Sequence, residues 1–200
     1  MISLLRPPEL VSWEPIYETW NFHRIDLIHM LKKQSDETCN QRPEDGSWSP
    51  CEVADHLRVT QSLYANLLAL VNAGKKGERL DGINIDYDSI ESSYSPGKLK
   101  NPEIVNPAEQ IVKSELIQSL NKAMDKTEKN LLKLSMDDLR AIYFEHPMFG
   151  NLSMLDWLWA LTLHEEMHID VLKKKLIHQG ADLSKKLFVE STDGNAGSFH

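Results

Sequence analysis

The stretch LTLHEEMHIDVL, residues 161–172, places two histidines four positions apart within an apolar helical pattern. Side chains four residues apart leave the same face of an α-helix. His164 and His168 therefore share a face with Leu161 and Leu172, and this apolar face should turn towards the core. The stretch predicts a buried helix that directs two imidazoles inward.

The same letters also spell H-E-x-x-H, the helical signature of zinc peptidases. In that interpretation the glutamate, Glu165, is the general base, and a third ligand lies downstream, where Glu190 is at a tolerable distance. The interpretation leaves another inward histidine, His56, without a role. It also lacks a predicted sheet that could hold a peptide, so the residues favour a different metal arrangement.

Three other segments repeat apolar residues at helical spacing. They cover about residues 14–34, 50–73 and 107–134, and the helix around the two histidines extends over about 154–179. Three of the four helices begin with a polar N-cap residue and an acidic residue three positions on. These N-cap residues are Ser49, Asn106 and Ser153. Because no strand alternation is evident, the sequence predicts an all-α four-helix bundle.

A long loop, residues 73–102, separates the second and third predicted helices. A loop of this length is unusual in a bundle, which indicates either disorder or a functional element such as a lid or crossover. We expect one domain over residues 1–182 and a partly flexible C-terminal tail over residues 183–200, where small polar residues dominate.

Composition excludes some classes of function. The net charge of −8 argues against nucleic-acid binding and against attraction to an anionic membrane, because both require clustered Lys and Arg. No apolar run approaches the roughly 18 residues of a membrane span. Cys39 and Cys51 show no C-x-x-C spacing and are too few for a disulfide framework, which predicts a reducing, cytoplasmic setting with a structural role for Cys51.

His56 lies on the apolar face of the second predicted helix and adds a third inward imidazole. Burying an unpaired polar group is costly, and a metal ion removes that cost by taking one ring nitrogen. The alternative is that these are ordinary hydrogen-bonded core histidines. His23, on the core stripe of the first helix, is a further candidate for the same pocket.

Three neutral imidazoles suit Zn²⁺, Ni²⁺, Fe²⁺ or Cu²⁺. Of these we expect zinc or nickel, with iron as an alternative. Three protein ligands leave a coordination position open, which is the layout of a catalytic site.

Three segments resemble the DinB-like superfamily in order and position: WSPCEVADHL (48–57), HPMFGNLSMLDWL (146–158) and LHEEMHIDVL (163–172). The resemblance implies a four-helix bundle in which His56, His164 and His168 bind a divalent metal. It also implies a homodimer, and activity as a metal-dependent hydrolase or as a transferase that uses a low-molecular-weight thiol such as bacillithiol or mycothiol. Val171 departs from the family pattern, which often has glutamine there, and the 73–102 loop has no counterpart that we can match.

Two functional hypotheses follow. In the first, the chain is an enzyme that activates water or a thiol for attack on a small-molecule substrate, with Glu165 as a candidate general base or simply a surface residue. Tyr64 and Trp157 line the pocket of that enzyme or are plain core residues. In the second, the chain is a non-enzymatic, dimeric, stress-associated bundle whose metal is structural or vestigial.

Overall fold

The computed structural model describes residues 4–75, 77–80, 83–95, 103–108 and 110–178. Four long helices are α1 (Glu14–Lys33), α3 (Pro50–Asn72), α5 (Lys113–Leu131) and α7 (Met154–His178). Three short helices are α2 (Asp36–Asn40), α4 (Tyr87–Ser93) and α6 (Met136–Ala141). The strands are β1 (Glu78–Arg79), β2 (Ile142–His146) and β3 (Gly150–Ser153).

The long helices form the predicted four-helix bundle. α3 packs along α5, α1 packs along α7, and α3 and α7 also contact each other. The core between them is apolar and aromatic at one end, around Trp20, Tyr64 and Trp159, and mainly aliphatic at the other, around Leu31 and Leu57. Among the described residues, every helix is too short or too polar to cross a membrane.

The capping signals account for two of the helix starts. The Ser49 hydroxyl accepts the Glu52 backbone N–H at 3.2 Å, and the Glu52 carboxylate accepts the Ser49 N–H at 2.8 Å, which closes the predicted capping box of α3. Ser153 and Asp156 make the same reciprocal pair before α7. These bonds satisfy backbone donors that have no partner within a helix.

The third predicted start is wrong. α5 begins at Lys113, and residues Glu103–Val105 contact α3. The Ala108 backbone N–H donates to the Asp55 carboxylate at 2.9 Å, and Val105 is buried. This contact with α3 holds residues 103–108 outside any α-helix, so Asn106 does not cap one.

The prediction that the chain has no strands is also wrong. β2 pairs antiparallel with both β1 and β3, and together they form a small three-stranded sheet. The β2–β3 turn contains Pro147, and Gly150 takes a positive φ of 69° that L side chains rarely adopt. Strands of two to five residues are too short to show a clear alternation of polar and apolar residues.

The described parts of the 73–102 loop pack on the bundle. The loop contains β1 and α4, and Ile90 of α4 is buried. The Tyr87 hydroxyl donates to Asp156 at 2.8 Å, and Arg6 forms ion pairs with Asp88 and Glu91. Residues 76, 81–82 and 96–102 of the loop lie outside the described residues, as does the whole 183–200 tail.

The two cysteines are joined to each other. Cys39 of α2 and Cys51 of α3 form a disulfide with a Cα–Cα distance of 5.3 Å, and both are fully buried. The bond agrees with a structural role for Cys51. The prediction of a reducing, cytoplasmic setting assumed that two cysteines are too few for a disulfide framework. The bond removes that argument.

Candidate functional site

The structure brings the three predicted histidines together at the contact between α3 and α7. The Nε2 atom of His164 lies 3.1 Å from Nε2 of His56 and 3.1 Å from Nε2 of His168. One ligand atom from each of the three rings lies within 4.8 Å of the other two. Helix geometry explains the arrangement, because His164 and His168 are one turn apart on α7 and His56 faces them from α3.

Segment 103–108 fixes the orientation of His56. The Nδ1 atom of His56 lies 2.7 Å from the Val105 carbonyl oxygen, which only accepts hydrogen bonds. Nδ1 must therefore carry the proton, and the lone pair of the neutral ring is on Nε2, the atom that points at the other two histidines. This is the usual way in which a backbone carbonyl orients a metal-ligating histidine.

The three Nε2 atoms are better explained as ligands of one shared cation than as hydrogen-bond partners of one another. A ring nitrogen has either one N–H or one lone pair, so Nε2 of His164 cannot make two ordinary hydrogen bonds at once. One divalent ion would satisfy all three lone pairs. With metal–nitrogen bonds of about 2.0–2.1 Å, two nitrogens that share a tetrahedral metal are about 3.3–3.4 Å apart, close to the 3.1 Å that separates His164 from His56 and from His168.

Burial keeps these imidazoles neutral. Loss of hydration lowers the pKa of His56 and lowers that of His164 well below the ordinary value. It also lowers the pKa of His168 to about 3, with a smaller contribution from the neighbouring His56. Neutral imidazole is the form that ligates a metal.

An apolar cavity of about 90 Å³ opens beside His56 and His164. Its described lining includes Tyr64 and Trp157, for which both a pocket and a core position were open, together with Tyr94 from the segment after α4. None of the described lining residues is Lys, Arg, Asp or Glu. The cavity is partly open to the surface, so a ligand can place one end beside the histidines and extend outward.

Glu165 lies away from this cavity, in contrast to the role predicted for it as a general base. Its carboxylate is fully buried and accepts hydrogen bonds from Arg24 Nε at 2.6 Å, Arg24 Nη2 at 2.6 Å and Trp20 Nε1 at 2.8 Å. Both oxygens are therefore engaged with α1. The carboxylate joins α1 to α7, and we assign it no proton transfer.

His23 also lies apart from the cluster. It is half-buried on α1 with its ring 6.0 Å from that of Phe22, and it is not part of the cavity lining. The next residue, Arg24, is the polar group of α1 that enters the core.

Three residues near the site have no clear signal in the sequence. Val105 acts through its backbone carbonyl, Tyr94 packs its ring 5.9 Å from that of His164, and His146 lines the cavity from the β2–β3 turn. All three lie in turns or connecting segments, where side-chain periodicity gives no direction.

Comparisons with known proteins agree with this architecture. The sequence profile of the DinB superfamily matches residues 19–172. YuaE, an uncharacterized protein of Bacillus subtilis (strain 168), is 26% identical over 160 residues, which cover 78% of this chain and 93% of that protein.

Two solved structures share the fold. YfiT from Bacillus subtilis, described as a probable metal-dependent hydrolase with an unusual four-helix bundle topology, superposes with a TM-score of 0.62 at 16% identity. That match covers 90% of this chain and 97% of YfiT. TT2238, described as a four-helix bundle protein, gives a TM-score of 0.56 at 19% identity over 82% of this chain and 99% of that one.

Proposed function

The chain belongs to the DinB superfamily, and from this premise we propose that it is a metal-dependent enzyme that acts on a small molecule. His56, His164 and His168 are the proposed ligands, with zinc or nickel favoured and iron as an alternative. The observation that carries the proposal is the convergence of their three Nε2 atoms beside an apolar cavity. The description of YfiT as a probable metal-dependent hydrolase supports it.

The reaction is hydrolysis or transfer of a low-molecular-weight thiol to a small electrophile. A divalent ion in such a site supplies a Lewis acid that lowers the pKa of a water or thiol that it coordinates. The described cavity walls contribute apolar contacts to the rest of the substrate and exclude water from it. The three imidazoles stay neutral at neutral pH and so remain available as ligands.

The site gives a zinc peptidase little support. That mechanism requires the H-E-x-x-H glutamate as general base, whereas Glu165 is bound by Arg24 and Trp20.

Metal-dependent turnover tests the proposal. Metal-free protein, reloaded with Zn²⁺ or Ni²⁺, would be assayed with nitrophenyl esters and with chlorodinitrobenzene plus cysteine as the thiol. We expect turnover that requires the metal and is lost in His168→Ala, but is retained in His23→Ala, which removes a histidine outside the cluster. Bound metal without turnover in either panel would contradict the enzymatic proposal and favour a structural metal.

A further inference from the structure

The β2–β3 turn fixes the proton of His146 on one ring nitrogen. Pro147 has no N–H, so Met148 supplies the first backbone donor after the histidine, and its N–H donates to His146 Nδ1 at 3.2 Å. An imidazole nitrogen that accepts a hydrogen bond carries no proton. In the neutral ring the proton is then on Nε2, which acts as a donor.

Two aromatic side chains hold this ring in place. The Phe149 ring is stacked on His146 with centroids 4.8 Å apart and an interplanar angle of 21°. The Trp157 ring lies 4.4 Å away at a tilt of 53°. Burial lowers the pKa of His146 to about 4, so the ring is neutral at neutral pH.

The remaining edge of the ring is available to a ligand. His146 lines the same cavity as His56 and His164, and within the described part of the chain its Nε2 has no hydrogen-bond partner. A donor held at a mainly apolar wall is a common way for a pocket to orient a small molecule.

We propose that His146 binds the molecule that occupies the cavity by donating an Nε2–H hydrogen bond to its acceptor atom. The inference rests on the proposed function, because it places that acceptor next to the metal ligands. It also defines the substrate class: a small molecule with a mainly apolar body and one acceptor atom, such as a carbonyl oxygen, near its reactive end.

The tautomer can be measured on the unsubstituted protein. Long-range ¹H–¹⁵N correlation spectra distinguish a proton on Nε2 from one on Nδ1 in each histidine. We expect His146 to be the neutral Nε2–H tautomer at neutral pH. A proton on Nδ1 would overturn the inference, because Nε2 would then accept rather than donate.

Ligand binding gives a second test, with Co²⁺ in the site and azide as the probe, followed by visible absorption. His146→Phe keeps an aromatic ring between Phe149 and Trp157 but removes the donor, whereas His146→Gln keeps an N–H near the position of Nε2. We expect His146→Phe to weaken azide binding roughly ten-fold or more without changing Co²⁺ affinity, and His146→Gln to restore most of it.

The two proposals fail in different ways. Equal azide affinity in His146→Phe and the unsubstituted protein, both loaded with Co²⁺, would overturn the role of His146 and leave the metal site standing. Failure of the unsubstituted protein to bind Co²⁺ would overturn the metal site and this inference together.

Discussion

Replacing Glu165 by glutamine should destabilise the fold more than it affects the metal site. Glu165 and Arg24 are both fully buried, and the carboxylate accepts two hydrogen bonds of 2.6 Å from the guanidinium. Glutamine preserves the shape but leaves Arg24 buried without a counter-charge. Arg24 Nη1 already lacks a hydrogen-bond partner among the described residues.

Removing one member of a buried ion pair costs about 3–5 kcal/mol, because the other charge remains buried and unpaired. For a chain of this size, that loss lowers the melting temperature by roughly 6–20 °C. Arg24→Met combined with Glu165→Leu should cost less than Glu165→Gln alone, since no buried charge remains. Urea and thermal unfolding of the metal-free protein, followed by far-UV circular dichroism, would measure these changes.

A second ion pair between the same two helices provides a matched control. Lys173 of α7 and Asp26 of α1 are 2.6 Å apart, but their side chains are 38% and 32% exposed. Asp26→Asn should therefore change the free energy of unfolding by less than about 1 kcal/mol. If Glu165→Gln were as mild as Asp26→Asn and abolished metal-dependent turnover, the structural role would be refuted and a base role for Glu165 restored.

Three further predictions concern pH, ligand orientation and the disulfide. Because the pKa of His168 is about 3 in the folded state against an ordinary 6.5, the unfolded state of the metal-free protein binds more protons between these values. The free energy of unfolding should fall as the pH drops below about 6.5, and in urea titrations His168→Gln should reduce this slope by about 1.4 kcal/mol per pH unit. Asp55→Ala should weaken Zn²⁺ binding about ten-fold in calorimetry, because it releases the segment that orients His56. Protein denatured without reductant should show no free thiol, and reduction of the Cys39–Cys51 bond should lower stability by about 2–4 kcal/mol; a free thiol would contradict the pairing.

The parts of the fold that the sequence predicts are those set by local chemistry. The starts of α3 and α7 follow from hydrogen bonds between residues three apart, such as Ser49 and Glu52. The start of α5 does not, because the carboxylate of Asp55 on another helix competes for the backbone of Ala108. The pairing of β1, β2 and β3 is equally non-local, and the strands are too short to show a pattern.

The residues of the site also divide into those placed by local spacing and those placed by packing between helices. His164 and His168 could be placed from sequence because a separation of four residues fixes their common face on one helix. Glu165 follows His164 by one residue, about 100° around the helix axis, so its side chain faces a different neighbour. This neighbour is Arg24 because of the way α1 and α7 are rotated against each other. The sequence of one helix does not reveal that rotation.

Metal stoichiometry with single histidine substitutions tests the central claim most directly. Elemental analysis of purified protein, and titration of metal-free protein with Zn²⁺ and Ni²⁺, would count the ions per chain. We predict about one divalent ion per chain, with strong loss in His56→Ala, His164→Ala and His168→Ala and no loss in the control His23→Ala. Protein that takes up no metal, or equal occupancy in all four variants, would contradict the three-histidine site.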